Sequence, residues 1–494
     1  MYRLASLIAL AASLAVTVQA APAGKSACTA IQGSLGFNKV SNGQLQNTAD
    51  YLESRDYWNT RLDLMAPACA VYPASAADVS TILKAVKKAG SRFAIKAGGH
   101  NPNQNFSSTD GGVLIDLRKM TDKSYDSSQQ TCTYQPGNRF GDLYEYYEQF
   151  GVTVTGARLS GVGSGLGLGG GLSYLSGEYG LSVDGFRSLE VVLPSGDVVT
   201  ASANSNPDLF FAMRGGGGNA YGVVTGYTVA ARKVGTFHSG LLIYAFSQAQ
   251  AVIEAVHNFT KYNTDPKANI IGSWINLPLP DLTVNLDEAL IVFAVYDGPD
   301  PGNAFKNFTD LPHLVDTRAQ RSYVSTTRDL TTPLSTDLSK GSNTFRVAVH
   351  SINGDAYKNA YNQWRAWAQD PANKARYLLT SLDFQPVLRS LTDASKAQGG
   401  NAMNMPDGPY FWLNYLLTTP PTLSTSDYNA IQDSFKNLVN AIPSDSGLPL
   451  FLNDAAADQP VLQSFSTYSR LKSIKQKYDP DGFFTKYTGG WAFP

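Results

Sequence analysis

The sequence predicts an α+β protein built in two parts, and three observations carry that prediction. Residues 67–232 read as short β-type runs separated by helices and glycine clusters. From about Gly240 to Leu448 longer strands alternate with amphipathic helices, the pattern of a sheet backed by helices. A composition of 43% hydrophobic and 16% charged residues supplies a core for both parts. At about 150 residues per domain, a 494-residue chain holds three units or two large ones. Lys+Arg 39 against Asp+Glu 40 gives a net charge of -1, so no basic excess exists to neutralise a phosphate backbone, and nucleic acid is not an expected partner.

The chain opens with Arg3, an apolar run from Leu4 to Val18, and Val18-Gln19-Ala20 ahead of Ala21-Pro22. This reads as a secretory signal peptide over residues 1–20, cut after Ala20. The run is short of the roughly 20 residues a span needs, and no later segment has the length and apolarity of one, so a soluble, secreted protein is expected once the peptide is removed. In that oxidising compartment Cys28 and Cys69, close to the N-terminal segment 21–66, are expected to pair, while Cys132, alone in the Thr131–Tyr134 run, reads as a small buried hydrophobe. Asn105, Asn258 and Asn307 each begin a glycosylation sequon; one of the latter two is expected to be used, whereas Asn105 lies beside a glycine loop.

Ser75 is placed to cap a helix whose apolar positions are Val79, Ile82, Leu83 and Val86, and Gly90 to end it. Strands are expected at Phe93–Lys96, Val113–Leu117 and Thr131–Tyr134, a helix at 140–147, a hairpin of 188–193 with 198–201, and a closing strand over 221–230. In the second part, 290–295 and 344–350 read as strands, 355–368 and 426–440 as helices, and the tail 449–494 is too short to stand alone.

Three glycine-rich loops carry the candidate chemistry. Lys96-Ala97-Gly98-Gly99-His100-Asn101 ends a strand, so its backbone N–H groups can approach an anion and its histidine can face a ligand, although a tight turn with an incidental histidine has the same sequence. Gly161–Gly171 holds seven glycines in eleven residues, including a formal G-x-G-x-x-G at Gly165, Gly167 and Gly170. A Rossmann unit also needs an amphipathic helix directly afterwards, and Leu172–Gly177 offers none. The third loop is Arg214–Asn219, followed by Tyr221–Thr225. Three such loops near strands point to one extended dinucleotide, or else to close backbone packing alone. The five histidines show no H-E-x-x-H and the three cysteines no C-x-x-C, so no metal site is expected. No G-x-S-x-G elbow or P-loop stands in the right flanks, and a redox cofactor remains.

Taken together, several segments resemble the secreted fungal members of the vanillyl-alcohol oxidase superfamily, close to the berberine-bridge-enzyme-like, oxygen-dependent FAD-linked oxidoreductases. They are Pro67–Pro73, Lys96–His100, Asp110–Asp116, the Gly161–Gly171 run with Ser173, Tyr179-Gly180 and Asp184, Pro207–Gly216, Gly222–Thr225, Gly399–Asn401, Leu452–Ala455 with Gln459, and Lys477–Phe484. The resemblance covers nearly the whole mature chain. It implies a split FAD-binding domain of the vanillyl-alcohol oxidase or PCMH type, made of residues 67–235 completed by 449–494, with an inserted α+β substrate domain, 236–448, that is an antiparallel sheet backed by helices. It places FAD against Lys96, Ala97, Gly98, Gly99, His100 and Asn101, against Gly161, Gly163, Gly165, Gly169 and Gly170, and against Val223, Val224 and Asn453, with a covalent bond from His100 to the flavin.

Two departures from relatives matter. Carbohydrate-oxidising relatives often carry a second tether, a cysteine just before the glycine run, where this chain reads Gly156-Ala-Arg-Leu-Ser-Gly161. The flavin is therefore expected to be tethered once, and the substrate to be a small, less polar metabolite. Several relatives end a Tyr-x-Asn-Tyr motif in a catalytic tyrosine, and here Asp454 holds that position. A carboxylate there could accept a substrate proton, or Asp454 and Asn453 could only hydrogen-bond the flavin or cap the tail. Tyr415, with Tyr410 and Trp412, could line the flavin face and is the second candidate catalytic residue, though aromatic strands are more often core. The resulting expectation is a monomeric FAD oxidase that takes hydride from a C–OH or C–N carbon of a small metabolite in secondary metabolism, with O2 as acceptor. A carbohydrate oxidase, a flavin-binding protein without turnover and a flavin-assisted cyclase are the rivals.

Overall fold

The glycine-rich first region is organised by two separate sheets. The structure, a computed structural model, describes residues 22–43, 47–277, 288–330, 341–491 and 493; the expected signal peptide lies outside the described residues. A four-stranded sheet runs in the order Val40–Ser41, Cys69–Val71, Val113–Asp116, Phe93–Lys96, with the last three strands parallel. Parallel neighbours need a crossover, and the helix Ala76–Ala89 supplies it between Cys69–Val71 and Phe93–Lys96. That helix begins where the Ser75 hydroxyl accepts the Asp78 N–H and stops at Gly90, whose φ of 62° suits glycine, as its sequence predicts. A five-stranded antiparallel sheet follows, ordered Lys123–Asp126, Thr131–Tyr134, Val223–Ala230, Phe186–Val192, Val198–Ser202.

The N-terminal segment is pinned to this region by the Cys28–Cys69 disulfide, which joins the helix Pro22–Leu35 to the strand Cys69–Val71. Cys132 is fully buried, and burial pushes its thiol up to about 12, the inert core cysteine its sequence suggests.

The second region is one antiparallel sheet of eight strands among the described residues. Its main path runs Val315–Asp316, Phe237–Tyr244, Glu288–Tyr296, Ala268–Asn276, Leu379–Val387, Tyr410–Thr419, Ser342–Ser351. The helices Ala249–Tyr262, Ala356–Gln369 and Thr425–Asn440 cover one face, packing Val256, Trp364 and Phe435 onto Trp274, Leu382, Phe384 and Leu413. The opposite face turns toward the first region and shares its core through Ile275, Phe293, Val349 and Trp412. Because both faces are covered, Glu288–Tyr296 carries an unbroken apolar run rather than an alternation.

The tail returns to the first region. Phe483 and Phe484 pack against Phe93 with ring centroids 5.3 and 5.4 Å apart. Lys475, on the helix Tyr468–Tyr478, is buried with Asp479 and donates to the Ala220 carbonyl at 2.6 Å. Asp479 in turn accepts the N–H groups of Phe483 and Phe484, so no polar group of this anchor is left unpaired.

Candidate active site

Where the face of the large sheet opposite its helices meets the glycine loops there is a cavity of about 450 Å3. One wall is loop: Ala97–Asn101, Arg158 and Leu159, Gly163, Gly165, Gly169, Val223 and Val224, and Phe451–Asp454 of the tail. The other is sheet, with Ile271, Ile275, Phe293, Phe345, Leu379 and Leu416 apolar and Ser273, Ser381, Asp383, Gln385 and Asn414 polar.

The loops cross at their glycines. A Cβ on Gly98 would lie 2.6 Å from the Gly163 Cα, and one on Gly163 would lie 2.3 Å from the Gly98 nitrogen, so here the glycines serve close backbone packing. Gly165 is different: nothing stands within 4 Å of where its Cβ would be, and it lines the cavity with bare backbone. The run itself turns as a 3-10 helix, Ser164–Gly169, without a Rossmann helix behind it. Asn453 fastens the tail to this run, donating to the Leu166 carbonyl at 2.9 Å and accepting the Gly171 N–H at 3.0 Å.

Asp454, the next residue, faces the cavity. Its carboxylate accepts a hydrogen bond from Gln385 Nε2 at 2.7 Å, and the Arg158 guanidinium donates to the oxygen end of the same amide. A guanidinium can only donate, so Arg158 fixes which way the Gln385 amide points and turns its NH2 group onto Asp454. Burial raises the Asp454 pKa above the ordinary carboxylate value, opposed by the Gln385 hydrogen bond and the Arg158 charge. Asp383 stands in the sheet wall; burial lifts it to about 6, with hydrogen bonds from Ser273 and Ser381 pulling down and the Asp454 charge pushing up. Strand register explains the cluster: Ser273, Asp383 and Asn414 lie directly opposite one another across three neighbouring strands. Asn414 Oδ1 is buried without a partner in that row.

His100 sits at the loop end of the cavity. Burial, reinforced by the Arg139 charge, lowers its pKa to about 4, so the imidazole is neutral at physiological pH. Trp58 stacks on the ring, with centroids 4.6 Å apart and planes 20° apart.

Of the residues expected at the cofactor, Ala97–Asn101, Gly163, Gly165, Gly169, Val223, Val224 and Asn453 line the cavity. Lys96 does not: its ammonium turns the other way, to the carbonyls of Ser54 and Asp56 at 2.7 and 3.1 Å and over the Tyr57 ring. Gly161 is exposed, and Gly170 packs at φ 115° against Met403, Leu181 and Phe451. Tyr415 is buried in the helix-side core, because side chains alternate along a strand and Asn414 and Leu416 take the cavity face. Tyr410 and Trp412 lie on the cavity side of the sheet as core, and Trp412 stacks on Phe451 at 4.6 Å.

The cavity fits a flavin dinucleotide in kind: bare glycine backbone and a neutral imidazole on one wall, and a buried polar row with an unpaired amide oxygen on the other. The profile of the family described as FAD binding domain matches residues 67–202. An uncharacterised FAD-linked oxidoreductase of Arthroderma benhamiae is 34% identical over 480 residues, covering 90% of this chain and 91% of that one. Among solved structures, 6-hydroxy-D-nicotine oxidase of Arthrobacter nicotinovorans superposes with a TM-score of 0.74 at 22% identity, covering 91% of this chain and 97% of that one. The xylooligosaccharide oxidase of Myceliophthora thermophila, in complex with xylobiose, gives 0.75 at 19%, covering 93% and 98%. At these identities the two structures speak for the fold alone, whereas the full-length likeness to the Arthroderma protein carries the assignment: the chain belongs to the FAD-linked oxidoreductases.

Proposed function

We propose that this protein is a secreted, monomeric FAD oxidase that takes hydride from a C–OH or C–N carbon of a small, largely apolar metabolite, as in secondary-metabolite biosynthesis, with O2 as acceptor. The observation that carries this reading is Asp454 facing the cavity with its pKa raised by burial and its geometry held by Gln385 and Arg158. FAD, which Ala97–Asn101, Gly163, Gly165, Gly169, Val223 and Val224 would hold, would supply the two-electron acceptor for the substrate hydride and the route of both electrons to O2, giving H2O2. Asp454 accepts the proton released from the substrate hydroxyl or amine, so that a C=O or C=N bond forms as the hydride departs. The Gln385 N–H holds the carboxylate against the cavity, and the apolar residues Ile271, Ile275, Phe293 and Leu416 exclude water and select an apolar substrate body. His100 is the residue that would tether the flavin, and its neutral imidazole has the free lone pair such a bond needs. The Cys28–Cys69 disulfide supports an oxidising destination, and Asn307, exposed in its sequon, is the glycan acceptor we favour over the half-buried Asn105 and Asn258.

The test is the visible spectrum of the purified protein before and after acid precipitation, with peroxide release measured across candidate alcohols and amines. Flavin retained in the pellet of the native protein but released from His100→Ala supports the tether; a colourless folded protein overturns the proposal. Asp454→Asn should cost roughly 100-fold or more in turnover and remove an acid limb that lies above the usual carboxylate range. An oligosaccharide oxidase is the second reading, favoured by the polar row Ser381, Asp383 and Gln385, which can meet sugar hydroxyls; turnover of xylo- or cello-oligosaccharides would select it.

A further inference from the structure

Five consecutive residues of the N-terminal segment bridge the flavin loops and the large sheet at the His100 end of the cavity. Tyr57 donates its hydroxyl to the Ser107 carbonyl at 2.6 Å and packs against Gly99, whose φ of 69° and missing Cβ leave room for the ring. Trp58 stacks on the His100 imidazole and also donates its indole N–H to the His100 carbonyl at 2.8 Å, so it fixes both the ring and the backbone of one residue. On its other side it lies 5.8 Å from Phe345, a cavity residue of the large sheet. Asn59 is 2% exposed and uses its whole amide: Nδ2 donates to the Pro102 carbonyl at 3.0 Å and the Asn343 carbonyl at 2.9 Å, and Oδ1 accepts the Asn343 N–H at 3.1 Å. The Thr60 N–H reaches the Gly341 carbonyl at 3.0 Å. Arg61 ends the series with its guanidinium 3.7 Å from the ring centre of Tyr428, on a helix behind the sheet.

We infer that residues Tyr57–Arg61 form a positioning strap, with Trp58 as the residue that sets the His100 imidazole against the cavity and thereby permits its bond to the flavin, in which a C–N bond would replace one C–H of the flavin methyl and one imidazole N–H, the two protons and two electrons released going to O2 as H2O2; this rests on the reading of His100 as the tether. Two contacts on one residue, one to the ring and one to the carbonyl, remove both the side-chain and the backbone freedom of His100. A bond-forming imidazole must be held in line with its target, and misplacement by about 1 Å can cost about 100-fold in rate. Asn59 keeps the next turn of the same loop, at Pro102, in register with the sheet that forms the opposite wall.

The full-length protein tests this with two readouts: amide hydrogen exchange of the segment 97–103, and the fraction of flavin that stays with the protein in acid. Trp58→Ala should speed exchange in that segment and lower the acid-stable fraction several-fold. Trp58→Phe, which keeps a stacked ring and loses only the indole N–H, should retain most of the acid-stable flavin while exchange rises modestly. Wild-type exchange at 97–103 in Trp58→Ala, or in Trp58→Phe should the alanine variant fail to fold, overturns the strap. If the unmodified protein releases all its flavin in acid, the tether reading fails, and the exchange measurement alone decides whether the strap orders the loop.

Discussion

Asp383 and Asp454 line the same cavity from its two walls, and that nearness has a consequence in pH. Asp383 is raised in the folded chain to about 6 while the unfolded chain keeps an ordinary carboxyl, so between those values the folded state binds the extra proton. Its contribution to stability is therefore full at acid pH and is lost as pH rises through about 6. Asp383→Asn should remove that loss: the melting temperature of the variant should exceed that of the parent by a few degrees at pH 8 and converge with it near pH 4, as read by calorimetry across that range. Asp454 was legible as a candidate because it stands in a tail motif where relatives carry tyrosine. Asp383 was not, since its meaning comes from lying opposite Ser273 and Asn414, residues 110 positions before it and 31 after it. One local signal was present: Ser381, Asp383 and Gln385 alternate with Leu382 and Phe384, a polar stripe on one face of a largely apolar strand.

At the level of elements, strand parity explains why Tyr415 stands away from the cavity. Tyr410 and Trp412 share one face of their strand, but Tyr415 is an odd number of residues away and falls on the other. Lys96 stands away for a different reason, since the strand Phe93–Lys96 ends with its ammonium toward Ser54 and Asp56. The glycine loops and the capped helix Ala76–Ala89 were readable because turn and cap chemistry is local. The tail helix is held by a buried ion pair, so its removal on one side has a sign. Asp479→Asn leaves Lys475 buried and uncompensated and should destabilise the protein by about 3–5 kcal/mol in denaturant unfolding, with tail proteolysis appearing first.

For the whole molecule, the two parts could be told apart by texture, but the site could not be placed from sequence because it exists only where they meet. Cavity residues come from the flavin loops, the tail and five neighbouring strands of the large sheet, so ordering the site requires all of them to be folded. The core is likewise continuous across the boundary, running from Phe140 and Tyr227 to Phe293 and Trp412. Heating should therefore give one transition, with flavin fluorescence rising at the same temperature at which circular dichroism is lost; a fluorescence rise well below that temperature would mean the large sheet detaches first. Added FAD should raise the transition of the His100→Ala variant by mass action.

The contact between Gly98 and Gly163 bears on how such a chain can change over time. Each glycine occupies the space that a methyl group on the other would need, so replacing both deepens the clash that replacing one creates. Most packing faults can be rescued by a compensating change in the neighbour; this one cannot, and the two loops are locked to the smallest residue as a pair. The crossing is a place where sequence variation is closed off from both directions.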